Sequence, residues 1–280
     1  MISLAAVSYP SWKGYADNNT IPFQIPAVTG SRQPIAIERT AVEELRKSLN
    51  GRLLLPEDDG YHVARLVRNR IIDKRPALIA QCKNSEDVQA AVNFARHYQL
   101  LTAVKCGAHS VSGKGTCDSG LIIDLTPLQG VSVNPTNRRI FITGGSLLSR
   151  LDEATLPLGL GTTAGTVSHT GVGGLATGGG FGRLGRKYGL TLDNIKSIQI
   201  VTADGQLRYA DENENSDLFW GVRGGGGNFG IVTMFEFQLH PMNKDVVGGR
   251  ITFDFKDVKQ LLRFHGEHSL EASWDMYQDP

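Results

Sequence analysis

Two dense runs of glycine constrain this chain more than any other feature. Eleven of its 33 glycines fall between Gly161 and Gly189, and six more between Gly221 and Gly230, in a chain of 280 residues. Glycine makes up about 12% of the sequence where roughly 7% is usual. No three-residue glycine period exists, which excludes a collagen-like fibre. The aliphatic stretches between the clusters argue against disorder. Each glycine inside a helix or strand costs about 0.5–1 kcal/mol. A segment such as GTTAGTVSHTGVGGLATGGGFGRLGRKYGLTLDN therefore predicts neither element, and points instead to backbone lying close against a flat or extended ligand.

Charge and cysteine usage exclude several classes. Lys plus Arg number 29 against 28 Asp plus Glu, a formal net charge of +1 with the signs interspersed. That distribution gives no electrostatic case for nucleic acid or an anionic membrane as partner. No apolar run reaches the length of a membrane span. The N-terminal stretch MISLAAVSYPSWKGY has no cationic region ahead of its short apolar segment, so a secretory signal is not expected and an intracellular compartment is the default. Cys82, Cys106 and Cys117 form no CxxC pair and suggest no disulfide framework.

The pattern along the chain is mixed α and β. Residues 1–36, with Pro10, Pro22, Pro26 and Pro34, read as an irregular lead-in. IERTAVEELRKSLN reads as a helix with Thr40 as N-cap, Glu43 completing a capping box and Gly51 as stop. Strands are expected over 75–82, 101–107 and 120–126, with a helix over 85–100 capped by Ser85. A strand over 138–145, a helix over 147–159, a hairpin over 195–210 turning at Asp204-Gly205, a helix over 216–224 and a strand over 230–240 follow. Beyond Pro241, VVGGRITFDF reads as a strand, KDVKQLLRFHGEH as a helix and ASWDMY as the start of another strand. These last residues are too few to bury a core of their own, so the expectation is a second domain cut short.

Two nucleotide signatures are imitated without being met. GGGGNFG at 224–230 satisfies GxGxxG through Gly225, Gly227 and Gly230, but a strand follows where the fingerprint needs a helix. GAHSVSGKG fails the P-loop pattern, with Ala108 in the first glycine place and Gly115 where a magnesium-binding hydroxyl belongs. The loop VKCGAHSVSG nonetheless offers successive N–H groups from small residues, an arrangement that binds anions without a cationic surface.

Four ordered segments carry a resemblance. VKCGAHSVSG (104–113), GLIIDLT (120–126), AGTVSHTGVGGLATGGGFGRLGRKYGLTLDNI (164–195) and DLFWGVRGGGGNFGIVTMFEFQLHP (217–241) resemble the FAD-linked oxidases of the vanillyl-alcohol-oxidase superfamily. The likeness is strongest to the berberine-bridge-enzyme-like branch that includes 6-hydroxy-D-nicotine oxidase, and it covers about residues 40–245. The resemblance implies an α+β fold. A PCMH-type FAD-binding domain of two α+β subdomains would occupy 37–245, followed by an incomplete α+β substrate-binding domain over 246–280.

It also implies site residues. The family's Arg-Gly-Gly-Gly-His-Ser loop, which wraps the FAD pyrophosphate, falls on Lys105, Cys106, Gly107, Ala108, His109 and Ser110. His109 takes the place of the histidine bonded to the flavin 8α-methyl. Cys106 and Ala108 replace glycines, a restriction wherever φ must be positive. Thr166, Gly171, Gly173 and Gly174 match the segment lining the flavin, and Gly230 and Ile231 match the later strand start that also contacts FAD. Members with two covalent links carry a second, cysteine anchor where this chain has Val167, so a single link through His109 is expected.

The activity so implied is a flavoprotein oxidation. Hydride leaves a CH–OH or CH–NH carbon of a small organic substrate for flavin N5, with oxygen as acceptor and hydrogen peroxide as product. No catalytic base is assigned, because in relatives it comes from the substrate domain or the far C-terminal part. A shortened, non-catalytic flavin-binding protein and a dehydrogenase using another acceptor are the alternatives. His169 reads as a packing residue, with substrate contact as the alternative. His265 and His268 lack metal-site spacing, so no metal is expected. Phe219 and Trp220 read as core, and Tyr188, Asp193 and Asn194 as a capped turn.

Overall fold

The computed structural model describes residues 21–242 and 245–277. Its elements in chain order begin with strands β1 (Gln24–Val28) and β2 (Pro34–Glu38) and helix α1 (Arg39–Ser48). Strand β3 (Arg52–Leu54), the short helix α2 (Tyr61–Ala64), β4 (Leu78–Gln81), α3 (Ser85–His97), β5 (Thr102–Lys105) and β6 (Leu121–Asp124) complete a first subdomain. The second runs through β7 (Val131–Asn134), β8 (Arg139–Thr143), α4 (Leu148–Thr155), β9 (Leu160–Gly161), α5 (Val172–Thr177) and α6 (Gly185–Tyr188). It then continues with β10 (Ile195–Val201), β11 (Leu207–Asp211), α7 (Ser216–Gly225), β12 (Ile231–Gln238) and β13 (His240–Pro241), and helix α8 (Val258–Glu271) follows.

Two sheets organise these elements, giving the expected α+β fold. The first has the order β3-β4-β6-β5, with β4, β6 and β5 parallel and β3 antiparallel at the edge. β6 is buried at all four positions, as a strand covered on both faces must be. Helices α1 and α3 cover one face through Val42, Leu45, Val88 and Ala91, and Tyr61 packs on the other with Leu54, Ile79 and Ile122. The second sheet is antiparallel in the order β11-β10-β12-β8-β7. Its core joins Ile140, Ile142, Ile198, Phe235 and Phe237 to Leu151 of α4, Val172 of α5 and Phe219 of α7.

Several local expectations differ from what forms. The lead-in is not irregular after residue 23: β1 and β2 pair as an antiparallel hairpin that buries Ile25 and Ile37, while residues 1–20 lie outside the described ones. Because β2 runs directly into α1, Glu38 is the extended residue before the helix and Thr40 sits inside its first turn, with no side-chain cap. Asn84, not Ser85, caps α3: its Oδ1 accepts from the Asp87 N–H at 2.9 Å. The turn is pinned there by Asp87, whose buried carboxylate accepts from the N–H groups of Lys83 (2.8 Å), Asn50 (2.7 Å) and Gly51 (3.0 Å).

The glycine-dense segment does contain helix. α5 (VGGLAT) forms because Gly173 lies against the Gly144 carbonyl, where an added Cβ would come to 2.6 Å, so glycine lets the helix sit directly on backbone of the sheet. No strand forms over 245–254 or 272–277. Trp220 is exposed while Phe219 is buried, since consecutive helical positions point different ways. No helix among the described residues is long and apolar enough to cross a membrane.

Candidate functional site

The two subdomains meet through backbone. The loop after β5 and the segment entering α5 touch at Gly107 and Gly171: a Cβ on either would collide with the other's main chain, and one on Gly171 would also strike Cys106 Sγ. Close approach, not chain flexibility, is what requires glycine at these two places. The segment is held on its other side by Leu148 N–H donating to Thr170 O (2.9 Å) and Val172 N–H to Ser146 O (2.9 Å).

Two residues along each strand of this contact, two imidazoles meet. His109 Nε2 and His169 Nδ1 are 2.7 Å apart, with ring centroids 4.7 Å apart and planes inclined by 24°. Arg68 reaches the same nitrogen of His109 from its Nε at 3.4 Å, and its backbone N–H donates to Ala108 O at 3.1 Å. Partial burial, then the neighbouring His169 and Arg68, hold His109 below the usual histidine range, so its ring is neutral near pH 7.

The loop around His109 presents main-chain donors. Ala108 adopts φ +56°, the left-handed conformation, whereas Cys106 is not among the residues with positive φ. Among the described residues, the N–H groups of Ala108, His109, Ser110 and Val111 meet no acceptor. Successive unpaired N–H groups of this kind form an anion-binding concavity. Ser110 Oγ closes the far side, accepting from Lys114 N–H at 3.2 Å.

The other sequence-assigned residues divide by role. Lys105 is buried, with its ammonium on Asp124 (3.4 Å) and the Ala64 carbonyl, so its charge is spent inside the subdomain. Cys106 Sγ lies 3.7 Å from Ser146 O, and burial pushes its thiol up to about 11. Gly174 has open space before it. Gly230 (φ +143°) and Ile231 pack on Val201, where β12 begins. Thr166 lines an open cleft of about 250 Å³ together with Asp152, Thr162, Arg183 and Met242. The Oγ1 atoms of Thr162 and Thr163 are buried with no hydrogen-bond partner among the described residues.

Sequence spacing did not reveal the pairing of His169 with His109, which are 60 residues apart. Nor is His169 a packing residue, for its side chain is exposed. His265 and His268 lie on α8, a helix that buries no residue. Tyr188, Asp193 and Asn194 do form a capped turn: Asp193 Oδ2 accepts from Leu190 N–H (2.7 Å), and Asn194 Nδ2 donates to the Tyr188 and Leu190 carbonyls (2.9 Å each).

A large anionic, planar dinucleotide suits these features: unpaired N–H groups on a loop, glycine backbone open at Gly174, and unsatisfied hydroxyls along the adjoining segment. Comparison with known proteins agrees. Residues 76–211 match the family described as "FAD binding domain". An FAD-linked oxidoreductase of Dictyostelium discoideum is 40% identical over 194 residues, covering 69% of this chain and 42% of that protein. The crystal structure of 6-hydroxy-D-nicotine oxidase from Arthrobacter nicotinovorans superposes with a TM-score of 0.68 at 36% identity, over 69% of this chain and 43% of that one. A BBE-like protein of Physcomitrella patens gives 0.66 at 29% identity, over 71% and 44%. The chain thus spans a little under half the length of these relatives. It belongs to the FAD-linked oxidoreductases of the vanillyl-alcohol-oxidase superfamily, in the branch of the 6-hydroxy-D-nicotine and berberine-bridge-enzyme-like oxidases.

Proposed function

We propose that this chain holds FAD for the two-electron oxidation of a small organic substrate, with the flavin bonded covalently to His109. Bound FAD would supply the acceptor for hydride from a CH–OH or CH–NH carbon, with oxygen as terminal acceptor and hydrogen peroxide as product. The chain's own part is binding and orientation. The N–H groups of Ala108 to Val111 hold the pyrophosphate without a neutralising cation, consistent with Lys105 being committed to Asp124. Gly171, Gly173 and Gly174 bring backbone against the ring system, and Thr166 flanks it. Val167 carries no thiol, so one covalent link is expected. In the same reading residues 37–245 form the FAD-binding domain and 246–280 begin the part that meets substrate.

The observation that carries this reading is the placement of a neutral His109 on the loop of unpaired N–H groups, at the Gly107–Gly171 junction. The test is direct. The purified protein, precipitated in acid, should keep flavin fluorescence in the pellet, and His109→Ala should release all of it to the supernatant. Flavin lost from the unmodified protein, or retained by His109→Ala, overturns the assignment. Peroxide formation with alcohols, sugars and amines, measured against a dye acceptor, separates oxygen from another electron acceptor.

A further inference from the structure

We infer that the cleft between α4 and the segment 161–166 binds a small apolar amino acid, its ammonium on Asp152 and its carboxylate on Arg183. Binding there does not presuppose bound flavin. At about 250 Å³ the cleft is smaller than sites for drug-sized ligands, which run to roughly 300–1,000 Å³. Its two charges are uncommitted. Among the described residues, the Asp152 carboxylate and the Arg183 guanidinium make no ion pair and no side-chain hydrogen bond, with each other or with any other group. The cation on the same helix, Arg150, is held by Glu153 at 3.1 Å. Partial burial, then the Glu153 carboxylate, push Asp152 above the usual carboxylate range. A ligand ammonium beside Asp152 offsets both effects.

A third polar group belongs to the same wall. Thr162 is 5% exposed, and its Oγ1 meets no hydrogen-bond partner among the described residues. A buried hydroxyl left this way is unfavourable, and a ligand carboxylate is an acceptor to which it can donate. The flank is apolar: Leu156, Leu184 and Met242 offer surface to an aliphatic or aromatic side chain. Glycine at 182 brings Arg183 to this place, because a Cβ there would collide with the Ala164 carbonyl and lift the chain off the segment. One anion, one cation, one hydroxyl donor and an apolar flank together match an amino acid. A simple amine leaves Arg183 unmet, a simple acid leaves Asp152 unmet, and a neutral sugar leaves both.

Isothermal titration of the purified protein, with the flavin it carries, by leucine and phenylalanine at millimolar concentration provides the measurement. Isopentylamine and isocaproate, which are leucine without its carboxylate and without its ammonium, are the single-charge probes. Each lost charged contact should weaken binding at least about 10-fold, so both probes should bind that much more weakly than leucine. Asp152→Asn should weaken leucine by about 10-fold without weakening isocaproate, and Arg183→Gln should weaken leucine as much without weakening isopentylamine. Loss of fold cannot produce that crossed pattern. No saturable heat with either amino acid, equal affinity for leucine and isopentylamine, or variants that weaken all three ligands alike overturns the inference. Leucine binding to flavin-free protein that added FAD abolishes also overturns it, since the cleft then belongs to the cofactor. Protein that never holds flavin refutes the proposed function and leaves the titration to be judged by the same outcomes, so the two fail separately.

Discussion

Ala108 shows how a single residue can hold a site against its own preference. In the left-handed region an alanine side chain crowds its following carbonyl, at about 1–2 kcal/mol. The loop keeps this conformation because Ala108 O is anchored by Arg68 N–H and Gly107 is wedged on Gly171. Ala108→Gly should therefore raise stability by about 1 kcal/mol in urea titration, with retained flavin unchanged. Gly171→Ala should do the opposite, costing about 1–3 kcal/mol as an overpacked contact and lowering flavin retention, because its Cβ pushes the His109 loop away. Of this site, the position of His109 was legible from its loop motif. Its partner was not: what brings His169 beside it is a contact between two glycines distant in sequence, which leaves no local pattern. Away from the site, Thr202, Arg208 and the Gln206 N–H hold Asp204 down to about 2, from an ordinary 3.8. That lowered value contributes stability that is present above the ordinary value and lost as pH falls through about 2. The stability difference between the unmodified protein and Asp204→Asn should accordingly be constant above pH ~5 and vanish toward pH ~2.

At the level of elements, periodicity found most helices and strands and misplaced their ends. β4, β6 and α3 were legible because burial imposes an apolar run or a 3.6-residue stripe. Caps were not, because which residue caps depends on a partner elsewhere. Asp87 fixes the start of α3 by binding N–H groups of Asn50 and Gly51, 37 and 36 residues away. Asp87→Ala leaves three main-chain donors without their charged acceptor. It should destabilise the protein by about 3 kcal/mol, measured as a lowered denaturant midpoint at unchanged m-value. Helix α5 was hidden by its own composition, since glycine spacing that marks close packing against a sheet also looks like loop. The same packing partly covers Cys106 and pushes its thiol up to about 11. Alkylation by iodoacetamide at pH 8 should leave Cys106 unmodified until denaturant is added.

For the whole molecule, the α+β class and the order of its two subdomains were visible in sequence, chiefly through four segments whose order matches the family. Beyond residue 245 the expected helix forms as α8 but the expected strands do not: Ile251, Phe253 and Phe255 are exposed and pair with no sheet among the described residues. This region reaches the rest of the structure through Arg186, which donates to Ser269 O (2.8 Å) and Ala272 O (2.9 Å), and through Lys187 with Asp275. Since α8 buries no residue, proteolytic cleavage around Val246 and Val247 should leave the melting temperature of the remaining two-sheet body within about 2 °C of the uncut protein. The contact of Gly107 with Gly171 makes one unit of two sheets that share no strand: each loop is the other's wall, so a side chain added at either glycine is felt on both sides of the junction.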